Sequence, residues 1–294
     1  MIPLAHHKCI QIIVTHRCPF NCCHCSQLVP HQPKPFVMSL DEVEAALKSL
    51  VDYPGHVGIF GGEPLCHPDF AEICCLMKKY VPVKARRELW TMGFLWDKYK
   101  NIIEDTFYKE LIAYNEHEEA QPCWHQPNQI AIDEVIKDRS VTWDIIENCW
   151  VQLRWSSAIT PMGAYFCEMA AARAMMLGGP KGLPVEPGWW KRPLRDFTKL
   201  QREMCWQCSA CLPMPMKAND KQEWDDVSPK NFERMKSKRE LRVCDIEALR
   251  KYYEGHTFEP ETEYEKRGYF KDFPDWKPNI YRLTTKHTPE DTEK

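Results

Sequence analysis

No apolar stretch in the 294 residues comes near the ~18 needed to cross a bilayer as a helix. Met1 to Lys8 lacks the apolar core of a secretion signal, so a cytoplasmic location is expected. Charge of one sign is not in excess: 39 Lys and Arg stand against 42 Asp and Glu, a formal net charge of −3. Nothing global therefore argues for a nucleic-acid partner or an anionic membrane. No internal repeat is visible. Hydrophobic residues make up 44% of the chain, ample for a core, and the length suits one large α/β domain or one domain with a smaller companion. Cysteine, by contrast, is abundant, at 15 residues. In a small secreted domain such a count reads as a disulfide framework. In a large, unsignalled chain with clustered cysteines it points to metal binding. Cys9, Cys66, Cys74 and Cys75 stand apart and read as small core hydrophobes.

The first cluster is Cys18-Pro19-Phe20-Asn21-Cys22-Cys23-His24-Cys25. It follows Ile10 to Val14, a continuous β-branched run that predicts a buried first strand. Cys18, Cys22 and Cys25 are spaced C-x3-C-x2-C. Three thiolates this close on one loop can hold three corners of an iron–sulfur cluster. No fourth thiolate stands at comparable spacing, so one iron keeps an open position. Cys23 lies between the ligands and is expected to point away. Farther on, Ser39 and Glu42 form a capping box at the start of a helix with Val43, Ala46, Leu47 and Leu50 inward. His56 to Phe60 predicts a second strand that runs into Gly61-Gly62-Glu63-Pro64. Two glycines let backbone approach a ligand closely, and a carboxylate can engage an ammonium group. Alone, Gly-Gly-x-Pro also describes an ordinary turn.

The cysteine spacing, the preceding strand and the later Gly61-Gly62-Glu63-Pro64 together resemble the radical S-adenosylmethionine (radical SAM) enzymes over roughly the first 120 residues. The resemblance implies a partial (β/α)6 TIM-like barrel, with chemistry at the C-terminal ends of its strands. It implies that the open iron is chelated by the methionine part of S-adenosylmethionine and that Glu63 contacts the methionine amino group. His24 stands where the family usually has Tyr or Phe near the adenine. Thr91, ending a third strand from Leu89, resembles the family's Thr-Asn-Gly with Met92 in place of Asn. Asn115, after a fourth strand over Leu111 to Tyr114, falls where a polar side chain contacts the ribose. A flavodoxin- or ferredoxin-type electron donor is implied as partner.

The helix after Pro68-Asp69 carries Phe70, Ile73, Cys74 and Met77 inward, and Tyr99 to Phe107 is another helix. Glu118 to Gln129 reads as a loop or lid; Cys123 with His117 and His125 lacks a fourth partner for a metal. Val141 to Trp150 reads as helix, and Val151 to Trp155 with Ala158 to Ile159 as strand. Ile159 to Cys167 reads as a β-hairpin ending on a cysteine. Cys205, Cys208 and Cys211 are spaced C-x2-C-x2-C, the local triplet of a ferredoxin-type cluster that takes its remaining ligand from elsewhere. Cys167 supplies it if the hairpin folds over that loop. Structural zinc on the same four thiolates is the rival, although zinc sites usually pair two C-x2-C knuckles. Between them, Glu168 to Leu177 is a helix capped by Gly178-Gly179. From Met214 onward the chain turns polar, its helical faces read as solvated, and Thr285 to Lys294 reads as a disordered tail.

The hairpin cysteine, helix and distal cysteine group resemble the one-cluster Twitch type of auxiliary extension, relatives of the two-cluster SPASM type. The expected organisation is a radical SAM partial barrel at 1–150, a Twitch-like auxiliary region at 151–215 and a polar segment at 216–294. The expected cofactors are a [4Fe-4S] cluster binding S-adenosylmethionine and a second, auxiliary [4Fe-4S] cluster. The expected function is reductive cleavage of S-adenosylmethionine to a 5′-deoxyadenosyl radical, which abstracts hydrogen from a small organic substrate such as a sugar, nucleotide or amino-acid derivative. Four protein ligands on the auxiliary cluster tilt the outcome toward dehydrogenation, or toward epimerisation with Cys123 or Cys149 returning hydrogen. A peptide- or protein-modifying maturase is the alternative, weakened by the short N-terminus. A non-catalytic iron–sulfur or zinc redox protein is the third reading.

Overall fold

The computed structural model describes residues 1–254 apart from 115–123, 155, 213, 215–216, 219–222, 236 and 238. Asn115, Cys123, His117 and the Thr285 to Lys294 tail lie outside the described residues. The described strands are β1 (Cys9–Thr15), β2 (His56–Gly61), β3 (Arg87–Thr91), β4 (Ile112–Tyr114), β5 (Trp124–His125), β6 (Ser156–Thr160), β7 (Gly163–Tyr165), β8 (Lys217–Ala218), β9 (Trp224–Val227) and β10 (Glu240–Val243). The helices are α1 (Leu40–Ser49), α2 (Phe70–Tyr80), α3 (Trp96–Thr106), α4 (Ile132–Val135), α5 (Arg139–Glu147), α6 (Trp150–Arg154), α7 (Glu168–Leu177), α8 (Thr198–Met204), α9 (Pro229–Arg234) and α10 (Ile246–Tyr253).

One six-stranded sheet, in the order β4-β3-β2-β1-β6-β7, organises the chain. β1 pairs parallel with both β2 and β6, and all seven of its residues are buried, as a continuous apolar run requires at the centre of a sheet. The mixed α/β architecture is the one expected of a partial TIM-like radical SAM fold. Its strand count is six, but only five strands are parallel: β7 turns back antiparallel on β6, pairing Ile159 with Ala164. The hairpin therefore extends the barrel sheet beside β1 instead of standing apart from it.

Helices α1 and α2 cover one face. Ser39 and Glu42 close the capping box, with Glu42 N–H donating to Ser39 Oγ at 3.3 Å and Ser39 N–H to Glu42 Oε2 at 2.7 Å. Val43, Ala46, Leu47, Phe70, Ile73 and Met77 are buried in the core, as the 3.6-residue period predicts. Gly178 takes the left-handed conformation (φ 73°) that ends α7.

One expectation is corrected. The stretch from Val151 is helical (α6) before β6 begins at Ser156. Helical spacing puts Cys149 and Gln152, three apart, on one side, where both line the same cavity. In the polar C-terminal segment, β10 lies between α9 and α10 and pairs parallel with β9, on which Asp225 and Asp226 are buried.

Candidate functional sites

The first site forms where β1, β2 and β3 end. The pairing of Thr15 with Gly61 follows a register shift after Ile13. Beyond it, Gly62 N–H donates to Thr15 O at 2.8 Å and Glu63 N–H to Arg17 O at 2.9 Å. The Gly-Gly-Glu segment is thus laced along the entry to the cysteine loop. A Cβ on Gly61 would stand 2.3 Å from Thr15 O, and one on Gly62 would stand 2.8 Å from Arg17 O and 3.0 Å from the Cys18 Cβ. Any side chain there would push the two loops apart. The two glycines, read from sequence as places for a ligand to approach, serve close backbone-to-backbone packing here.

Glu63 is fully buried. Its Oε1 accepts from Leu65 N–H (2.9 Å) and Thr91 Oγ–H (2.7 Å), and its Oε2 from Met92 N–H (2.8 Å). Thr91 reaches this group from the end of β3 and also accepts from Gly93 N–H at 3.0 Å. Sequence reasoning named Glu63 and Thr91 separately; the structure joins them. His67, not singled out from sequence, ties the same segment to the chain just before α1: its Nε2 donates to Met38 O at 2.8 Å and its Nδ1 accepts from Asp69 N–H at 3.0 Å.

The three loop cysteines share one electrostatic neighbourhood. Burial pushes the Cys18 thiol up, and Cys25, Cys22 and Glu63 push it further. Burial raises Cys25 to about 12, with Cys22 and Asp225 adding to it. Cys23 sits beside Asp225 and Arg239. All described cysteines are free thiols. Among the described residues, no three His, Cys, Asp or Glu side chains stand at the spacing of a single metal ion. A multi-iron cluster holds its thiolates farther apart than one ion does, so the donor chemistry decides the fit here: three clustered soft sulfur ligands suit iron–sulfur.

The loop is braced from the far end of the chain. Asp225 Oδ1 accepts from His24 N–H at 2.8 Å and from Arg239 Nε at 3.0 Å; its Oδ2 accepts from His31 Nε2 at 2.5 Å. Arg239 also donates to Asn21 O at 2.7 Å, and His125 Nδ1 to Cys23 O at 2.8 Å. The His24 ring, expected near the adenine, is buried with its Nε2 3.5 Å from Asp226 Oδ2. Although burial opposes it, His31 and His24 hold the Asp225 carboxyl below its usual range. Asp226 is held down at about 2 against burial by His24 and Arg242. These acids were missed from sequence. Two adjacent aspartates in a polar stretch carry no periodicity that marks them as buried.

The second site is a cavity lined by Cys149, Cys167, Cys205, Cys208 and Cys211. Cys167, just past the hairpin, lines this cavity with Cys205, Cys208 and Cys211. Cys149, read from sequence as a hydrogen donor, stands among the same thiols at the mouth of α6. Burial raises Cys149 to about 12, with Cys208 adding to it. Burial also raises Cys167, Cys205 and Cys211, and each is pushed further by the other cavity thiols. Ile146, Phe166 and Met204 complete an apolar wall. Helix α7 lies between the sites: Ala170 and Arg173 line this cavity, while Ala172 and Met176 pack on Leu28, just past the first cysteine loop.

Residues 12–112 match the family model described as the radical SAM superfamily. No curated protein matches the chain at a significant level. Two solved structures are similar in fold. BtrN in complex with AdoMet and 2-DOIA has a TM-score of 0.46 at 15% identity, covering 68% of this chain and 88% of that one. Selenomethionine BtrN in an open conformation has a TM-score of 0.41 at 15% identity, covering 68% and 86%.

Proposed function

We propose that the chain, whose residues 12–112 match the radical SAM family model, is a radical SAM enzyme acting on a small organic substrate through two iron–sulfur sites. The observation that carries this reading is the convergence of Cys18, Cys22 and Cys25 on one loop that Glu63 and its glycines pin to the ends of β2 and β3. Three thiolates would hold a cluster with one position open. When loaded and reduced, that cluster supplies the electron that splits the sulfonium of S-adenosylmethionine to a 5′-deoxyadenosyl radical. The chain's own residues do the placing. Glu63 would offer its carboxylate to an ammonium group, Thr91 fixes that carboxylate, and Asp225 with Arg239 holds the cysteine loop at His24 and Asn21.

The second cavity would hold an auxiliary cluster on four of its five thiols. Buried neutral thiols become ligands by losing protons to the metal. With Cys149 drawn into this group, a thiol returning hydrogen to a substrate radical has less support than electron transfer. The geometry therefore favours net oxidation of the substrate, a dehydrogenation, over epimerisation. No helix among the described residues is long and apolar enough to cross a membrane, which suits a small-molecule substrate and a protein electron donor.

The test is anaerobic reconstitution followed by reduction with dithionite in the presence of S-adenosylmethionine. Formation of 5′-deoxyadenosine is expected, and its loss in Cys18→Ala. No 5′-deoxyadenosine from protein loaded at the first site would overturn the enzyme reading.

A further inference from the structure

Arg173 is an anomaly in its helix. It is the only charged side chain between Met169 and Leu177, and it is 2% exposed. Its guanidinium donates to Asn128 O at 3.0 Å and to Asn231 Oδ1 at 3.5 Å, both neutral acceptors. No carboxylate bonds it among the described residues. Burial weakens its hold on the proton and the cation of Arg234 weakens it further, while the nearby Cys208 sulfur counters both. A buried cation without a counter-anion is costly. Among the described residues, its anionic opportunity is the thiol cavity that it lines with Cys205 and Cys208.

Two more donors face the sulfurs of that cavity. Ala210 N–H lies 3.4 Å from Cys208 Sγ, and Gln152 Nε2 lies 3.9 Å from Cys205 Sγ. Net charge, hydrogen bonds to the sulfurs and solvent exposure are what set the potential of an iron–sulfur group. A fixed cation and N–H donors beside the sulfurs stabilise the form carrying the extra electron.

We propose that Arg173 is the charge-compensating residue of the second cysteine site and that it raises the reduction potential of the iron–sulfur group held there. This rests on the reading of the cavity as an auxiliary-cluster site. It goes further by assigning that site a direction: it takes an electron readily and gives one up reluctantly. Arg173 is a positioning and tuning residue, acting on the group through the field of its charge from the cavity wall.

The test is an EPR-monitored redox titration of reconstituted wild-type protein, Arg173→Gln and Arg173→Lys, with iron and sulfide counted on each. In Arg173→Gln the reduction equilibrium of the second group should fall at least tenfold, equivalent to about 59 mV for a one-electron couple. Arg173→Lys should stay nearer the wild type, and the first site's potential should not move. Failure of Arg173→Gln to load the second site while Arg173→Lys loads it also supports the proposal, since charge is then what the site requires. An unchanged potential in Arg173→Gln, or a lysine variant that behaves as the glutamine one does, overturns it. If the wild type itself binds only about four irons, it is the two-cluster reading that fails, and this shows before any variant is compared.

Discussion

The two cysteine sites use the same ligand atom in different electrostatic settings. The first is set among acids: Glu63 acts on Cys18, and Asp225 on Cys25. Asp225 is answered by Arg239 and His31, while the bonds to Glu63 from Leu65, Thr91 and Met92 come from neutral groups. The second has a buried guanidinium on its wall and N–H groups aimed at two of its sulfurs. Negative surroundings disfavour adding an electron and positive ones favour it. The difference suits a strongly reducing group at the first site and an electron acceptor at the second. Sulfur count separates them as well: three thiols leave a coordination position open, whereas five can close a cluster.

The largest effect that would sharpen this contrast comes from the ligands. Cys22→Ala should abolish S-adenosylmethionine cleavage in a 5′-deoxyadenosine assay. Cys205→Ala should remove the second cluster's spectroscopic signature while cleavage remains measurable. Equal loss in both would break the distinction between the sites. Next is Asp225→Ala, which strands the Arg239 and His31 partners of a buried acid. Loss of one partner of a buried ion pair costs about 3–5 kcal/mol, so denaturant unfolding should show a large drop, with a broadened first-site signal. Thr91→Val, nearly isosteric, removes one donor to Glu63 and should cost about 1–3 kcal/mol. If Glu63 serves the first site, the Michaelis constant for S-adenosylmethionine should rise with it.

The smallest effect at neutral pH belongs to the scaffold and to neither site. Burial holds His7 neutral, with its pKa down at about 4 from 6.5. The unfolded chain takes up that proton first, so stability is complete above pH 6.5 and falls as pH drops toward 4, by about 3 kcal/mol. His7→Leu should flatten that acid limb in pH-dependent unfolding and leave the contrast between the cysteine sites intact.

How much of this was legible in the sequence follows from how local each signal is. β1, the capping box at Ser39, the hairpin before Cys167 and both cysteine triplets were readable because their information lies within ten residues. α6 was misread because Val151 to Trp155 is too short for its period to separate helix from strand. The return of β6 beside β1 is a pairing across more than 140 residues and leaves no local trace. Arg173 did leave one, a single positive charge in a helix of Ala and Met, which reads as a buried cation once the helix is known to be covered on both sides. Asp225 and Asp226 left none, because only the fold reveals that β9 lies against the first cysteine loop.

The most direct test of the central claim is the EPR spectrum of reduced, fully reconstituted protein with and without S-adenosylmethionine. The account predicts two iron–sulfur signals, of which one shifts on adding S-adenosylmethionine, and that the responsive signal vanishes in Cys22→Ala. A spectrum in which neither signal responds, or in which the responsive one survives Cys22→Ala, would contradict it.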